Sequence, residues 1–168
     1  MGRYHPPQAK STPYITQHGY HALENELKGL WRKRDEVTKA LSAAAAEGDR
    51  SENAEYIYRK KQLREIDRRI RYLQKRLPDL KIVDKIPEHQ EQVFFGAWVT
   101  LENDKGQAFT YRIVGPDEFD TNPAYISLDS PMAQALLKKH LHDEIRVVTP
   151  NGKVEYTISE INYARPGE

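Results

Sequence analysis

Two runs of apolar residues in the first half of the chain mirror each other, and that relation constrains the fold more than any other feature. The first run spaces Tyr20, Leu23, Leu27, Leu30, Val37, Leu41 and Ala44 at steps of three and four once Arg34 is included. The second, in the same rhythm, is Tyr56, Arg59, Leu63, Ile66, Ile70, Leu73 and Leu77. Such spacing is a heptad seam. Paired from 44 with 56 out to 23 with 77, every pair of residue numbers adds to 100. A hairpin folded about residue 50 requires this relation, because each seam residue must meet one at equal height. Residues 15–78 therefore read as an antiparallel coiled-coil hairpin. Thr16 is placed to cap the first helix, with Ile15 and Tyr20 as the apolar pair that staples its start. Arg34 and Arg59 are the polar seam entries; they either fix the register or splay outward along their stems. At 1.5 Å per residue the stretch from 23 to 44 extends roughly 30 Å. A rod this thin holds no pocket, so it must act at its tip or along its outer surface.

Residues 1–14 contain Pro6, Pro7 and Pro13 and no apolar period, so a flexible tail is expected there. After Leu77-Pro78 the helical period gives way to alternation, and residues 79–168 read as a globular domain. Val93–Phe95 and Ala97–Leu101 read as strands, and Asn103-Asp104-Lys105-Gly106 as a hairpin turn into Gln107–Val114. Tyr125–Leu128 is a further short strand. Ser130-Pro131 then opens a helix running to about Lys139, with proline at its favoured first position. Glu144–Thr149 and Val154–Asn162 close the domain across Pro150-Asn151-Gly152. The expected fold class is α+β, a helical hairpin followed by a small antiparallel sheet with one short helix. The second half shows no Gly-rich phosphate loop, no GxSxG and no metal-ligand spacing, which points to docking or stabilisation.

Charge and cysteine usage narrow the chemistry. The chain has no cysteine, which removes disulfide scaffolds, thiol catalysis and Cys-based metal centres. No apolar run approaches a membrane span, and the start lacks the apolar stretch of a secretory signal, so a cytoplasmic protein without membrane contact is expected. The net charge of +1 conceals an asymmetry. Residues 1–78 hold 17 Lys/Arg against 10 Asp/Glu, whereas residues 79–168 hold 9 against 15. A basic half suggests a polyanionic partner, although long exposed helices also collect Lys and Arg.

Two features of the hairpin are candidate sites. At the tip, Gly48 suits the end of the first helix, and Asp49 or Ser51 can cap the second. Asp49 and Glu52 have the spacing of a capping box. They also have another use. Mg²⁺ is commonly held by one or two carboxylates with waters and substrate phosphates, so the pair can complete a site whose other ligands belong to a partner. Along the second helix, Lys61, Arg64, Arg68, Arg71 and Lys75 fall on the face opposite the seam. Between residues 59 and 76 there are nine Lys/Arg and two acids, whereas a solvated coiled-coil face normally mixes signs. That stripe is either a nucleic-acid backbone contact or an ordinary solvated surface. Tyr58 and Tyr72 beside it are placed to stack on bases or to flank the seam.

The residues then resemble a family. Gly48-Asp49-Arg50-Ser51-Glu52-Asn53-Ala54-Glu55-Tyr56 is similar to the tip motif of the bacterial transcript cleavage factors of the GreA/GreB family. The run from Leu63 to Leu73 is similar to the GreB form of the second helix, and Tyr125 to Ala133 resembles the signature of the C-terminal domain. The likeness extends over roughly residues 13–163. It implies a coiled-coil hairpin joined to a domain similar to FK506-binding proteins. It also implies an accessory factor, not an enzyme, whose partners are bacterial RNA polymerase and the extruded 3′ end of nascent RNA. The C-terminal domain, through the Ser130-Pro131 region, would dock near the mouth of the polymerase secondary channel, and the hairpin would enter it. Asp49 and Glu52 would then help the polymerase hold a Mg²⁺ and cleave backtracked RNA, and the basic stripe would grip that RNA. Relatives lacking the tip acids inhibit polymerase instead; both acids are present here. A monomer is expected. Two other functions fit parts of the pattern: a channel regulator that does not cleave, and a coiled-coil RNA-binding module whose tip acids only cap a helix.

Overall fold

The computed structural model describes residues 11–48 and 53–163. It divides into two units. One gathers the described residues up to Gly19 with those from Lys81 onward, and the other spans Tyr20–Leu80.

The Tyr20–Leu80 unit is the expected hairpin. Helix α1 covers Gln17–Ala45 and helix α2 covers Ala54–Arg76, followed by a 3₁₀ turn at Leu77–Asp79. The seam is where the heptads put it: Leu23, Val37, Ala44, Ile66, Ile70, Leu73 and Leu77 are buried. Val37 packs with Ile66 and Ile70, flanked by the half-buried Leu27, Leu30 and Leu63. The two polar seam entries take different courses. Arg34 reaches across to Asp67, Nε to Oδ1 at 2.7 Å, and the carboxylate's hydrogen bond and charge raise its pKa further. Arg59 turns back along its own helix to Glu55 at 2.8 Å and Gln62 at 3.1 Å. A second cross-helix pair, Arg69 with Glu26 at 2.9 Å, flanks the seam. Exposed pairs of this kind contribute little stability; their use is in register.

The other unit is built on a five-stranded sheet. In spatial order its strands are β5 (Tyr125–Ser127), β4 (Ala108–Val114), β3 (Trp98–Glu102), β7 (Gly152–Asn162) and β6 (Glu144–Thr149). All pairings are antiparallel except β4 with β5, which is parallel. Helix α3, Pro131–Leu136, packs Ala133 and Leu136 against Val99, Leu101, Ile113, Ile145, Val147 and Ile158 to form the core. Alternation along β3 and β6 drives this, since every second residue is buried.

Three expectations need correction. Residues 93–97 form no strand. Val93 pairs with the loop after α3 instead, its N–H donating to the Lys139 carbonyl at 2.8 Å and its carbonyl accepting from Lys138 N–H at 2.7 Å, while Phe94 N–H donates to the Tyr163 hydroxyl and Gly96 N–H to the Ile113 carbonyl, both at 2.9 Å. Helix α3 stops at Leu136, short of Lys139, because residues 138–139 are committed to that pairing. The last residues of the expected tail are seated, while residues 1–10 of it lie outside the described residues. Tyr14–Ile15 (β1) pairs in parallel with Lys81–Ile82 (β2), and Ile15 is fully buried.

Candidate functional site

The hairpin tip is closed by one side chain. Helix α2 is capped by Asn53, whose Oδ1 accepts from Tyr56 N–H at 3.1 Å. The Nδ2 of the same amide donates to the Ala44 carbonyl at 2.7 Å, joining the last turn of α1 to the first of α2. Gly48, with φ of +142°, takes a backbone conformation that side chains disfavour. Asp49 and Glu52 lie outside the described residues, as does Ser51. Neither Asp49 nor Ser51 is the cap, however, because the helix begins at Ala54 on Asn53. The expectation of an Asp49 or Ser51 cap is thereby overturned. The Asn53 amide accepts from Tyr56 and donates to Ala44 at once; a carboxylate in its place has no proton to give.

The five stripe residues share one state. Lys61, Arg64, Arg68, Arg71 and Lys75 are all exposed. No carboxylate among the described residues pairs with any of them, and Arg71 reaches only the backbone carbonyl of Asp67 at 3.4 Å. The other arginines of α2 at the hairpin flanks, Arg59 and Arg69, are ion-paired. The outer face is thus left with its charge unneutralised. Tyr58 and Tyr72 are exposed beside it, with Arg59 and Arg69 guanidinium carbons 5.5 and 5.3 Å from their ring centroids. Both rings are solvent-accessible, as stacking on bases requires.

On the sheet unit, Ser130 and Pro131 have separate tasks. The Ser130 hydroxyl oxygen accepts from Ala133 N–H at 3.2 Å and caps α3, so it is occupied within its own helix. Pro131 is exposed at the first turn. Leu128 and Gln134, on either side of Ser130 and Pro131 in the chain, help to line an open, largely apolar groove of about 470 Å³ that those two residues do not themselves line. Phe94, Phe95, Leu128 and Leu137 line it, and so do Thr12 and Tyr14 from the chain start. Sequence reasoning missed this groove. The adjacent Phe94-Phe95 was its one visible trace, hidden once the segment was read as a strand.

Deeper in the same unit Glu118 organises the chain start. It is 4% exposed, and its carboxylate accepts from Thr16 N–H (2.9 Å), the Thr16 hydroxyl (2.6 Å) and Gly115 N–H (2.8 Å). Thr16 Oγ1 in turn accepts from Gly19 N–H at 3.1 Å, the expected cap of α1. Among the described residues no group of three His, Asp or Glu is placed to hold a metal, and no helix is long and apolar enough to cross a membrane.

The chain thus has two parts, a helical hairpin with an exposed basic face and a sheet unit bearing an apolar groove. The model for "Transcription elongation factor, N-terminal" matches residues 13–82, and that for "Transcription elongation factor, GreA/GreB, C-term" matches residues 88–163. The chain belongs to the GreA/GreB family of transcription elongation factors. It is 58% identical over 156 residues to the transcription elongation factor GreB of Yersinia pestis, covering 92% of this chain and 91% of that one. With the GreB of Xanthomonas axonopodis pv. citri it shares 55% identity over 166 residues, 98% of this chain and 99% of the other. Among solved structures, the GreA factor homolog 1 protein of Thermus thermophilus matches at 28% identity with a TM-score of 0.40, covering 89% of this chain and 97% of that one.

Proposed function

We propose that this chain enters the secondary channel of bacterial RNA polymerase and stimulates cleavage of backtracked RNA by the polymerase. The observation that carries the reading is the Asn53 cap. With helix α2 capped by Asn53, the tip motif's two acids are not needed for the role that would explain them most simply. Asp49 and Glu52 would then serve as carboxylate ligands, and two acids suit a Mg²⁺ whose remaining ligands come from the polymerase and the RNA. Bound there, the metal would stabilise charge on the attacking and leaving oxygens of the phosphodiester. The chain's own part is to deliver and orient. Its hairpin is narrow enough for a channel, and its seam and cross-helix pairs keep the rod in register. The unpaired cations Lys61, Arg64, Arg68, Arg71 and Lys75 attract the phosphates of extruded RNA, a salt-dependent contact. The groove beside Pro131, apolar and open, supplies a docking surface for the polymerase. Bond breaking stays with the polymerase, so this chain is an accessory and not the enzyme.

The test is a stalled elongation complex with RNA labelled at its 3′ end. Adding the protein with Mg²⁺ should release a short labelled fragment and let the shortened transcript be extended. Binding without fragment release would favour a regulator that only occupies the channel.

A further inference from the structure

The groove beside Pro131 owes one wall to the start of the chain, and two forks of the same geometry fasten that wall. At the inner end Thr16 gives its N–H and hydroxyl to the two oxygens of Glu118, and both residues are buried. At the outer end Thr12 gives its N–H (3.0 Å) and hydroxyl (2.5 Å) to the two oxygens of Asp129, and this fork is exposed. Between them the Pro13 and Ile15 carbonyls accept from Lys81 and Val83 N–H at 2.8 and 2.9 Å. Tyr14 meets Phe95 edge-on, with ring centroids 6.1 Å apart. The two forks differ in their surroundings. Hydrogen bonds to a buried carboxylate are costly to break, whereas the same bonds in water exchange readily with solvent. The inner fork is therefore a permanent fastening, and the outer one can open while the unit stays folded. Asp129 immediately precedes Ser130 and Pro131, and its backbone N–H is itself held by the Ser127 hydroxyl at 3.1 Å.

We propose that the Thr12–Asp129 fork is a latch for docking on RNA polymerase. Closed, it holds residues 12–14 as a wall of the groove and fixes the loop that leads into Pro131. Open, the groove loses that wall and docking weakens. Thr12 and Asp129 are positioning residues in this account; the contact with the polymerase is made by the groove. The inference rests on reading this surface as the docking site.

Competition binding of the full chain to RNA polymerase tests both. Thr12→Val and Asp129→Ala should each weaken docking roughly three- to tenfold, the scale of one or two net hydrogen bonds. The double variant should bind no worse than Asp129→Ala alone, because one broken fork cannot be broken again. Thr12→Ser should restore binding. The urea midpoint of the sheet unit should fall by no more than one or two net hydrogen bonds account for, and a larger fall makes the fork a structural support and overturns the latch. Normal binding by Thr12→Val, or additive losses in the double variant, overturns the latch. In either case a weakened Pro131→Ala variant leaves the docking surface standing. If Pro131→Ala also binds normally, the surface lies elsewhere and the latch falls with it.

Discussion

Replacing Gly19 by alanine should destabilise the sheet unit, against the usual preference of helices. Gly19 is the third residue of α1. A Cβ there would sit 1.8 Å from Glu118 Oε2, 2.7 Å from its Cδ and 3.1 Å from Ile15 Cγ1. A carboxylate at the end of a free side chain would swing away at little cost. This one is held by Thr16 N–H, the Thr16 hydroxyl and Gly115 N–H. Each hydrogen bond to a charged acceptor contributes about 1.5–3 kcal/mol, so losing two of the three costs about 3–6 kcal/mol. Alanine returns about 1 kcal/mol of helix propensity. The net expectation is a loss of about 2–5 kcal/mol, a large share of a typical domain's 5–15 kcal/mol. Gly29, in the same helix with no atom near its hypothetical Cβ, is the matched control, and Gly29→Ala should stabilise by up to about 1 kcal/mol. Urea unfolding followed by Trp98 fluorescence in a Trp31→Phe background reads the sheet unit with Gly19, and Trp31 fluorescence in a Trp98→Phe background reads the hairpin with the Gly29 control. Glu118→Ala adds a second arm: with the carboxylate gone the new Cβ has room, so the double variant should be little worse than Glu118→Ala alone. If Gly19→Ala matches Gly29→Ala, or its loss adds in full to that of Glu118→Ala, the fork is not what that glycine protects.

Other consequences follow from the same contacts. Changing the five stripe cations to Gln should leave folding within about 0.5 kcal/mol of the parent. Cleavage of long backtracks should suffer more than that of short ones, and raising salt should narrow the gap; an equal loss at every backtrack length would point to docking. Asn53→Ala removes a cap worth about 1 kcal/mol and the tie to Ala44, so the hairpin should lose about 2 kcal/mol in unfolding followed by circular dichroism. Asn53→Asp keeps the acceptor alone and should lose only part of that. Burial raises the Tyr163 pKa, against the lowering effect of the Phe94 N–H on its oxygen. The folded state then holds this proton after the unfolded state has released it. Stability is intact below about pH 10, where free tyrosine titrates, and falls as pH rises from there through the folded value. Tyr163→Phe should remove that increment from the alkaline unfolding curve.

The hairpin was legible because its information is local and periodic. Each helix's buried face is written in steps of three and four, and the mirrored register identifies the partner of each residue. The errors lie where partners are distant or several side chains compete. Asp49, Ser51 and Asn53 stand within five positions, and spacing cannot choose among three residues that all cap helices. What tells them apart lies nine positions back in the chain, where the Asn53 amide donates to the Ala44 carbonyl while its oxygen caps α2. Val93–Phe95 alternates like a strand, yet Val93 bonds to residues 138–139 and Phe94 N–H to the Tyr163 hydroxyl. Residues 12–14 looked loose because their fastenings, Asp129 and the Lys81–Ile82 strand, lie far along the chain. The stripe was legible as a pattern. That its cations stay unpaired while Arg59 and Arg69 find carboxylates appears only in three dimensions.

The most direct test of the proposed function compares wild-type protein with Asp49→Asn and Glu52→Gln on one stalled, 3′-labelled elongation complex, with polymerase binding measured in parallel. These substitutions keep size and hydrogen bonding and remove charge. If the acids act as metal ligands in the polymerase active site, both variants bind like wild type and release almost no fragment. Fragment release by Asp49→Asn at the wild-type rate would contradict the account.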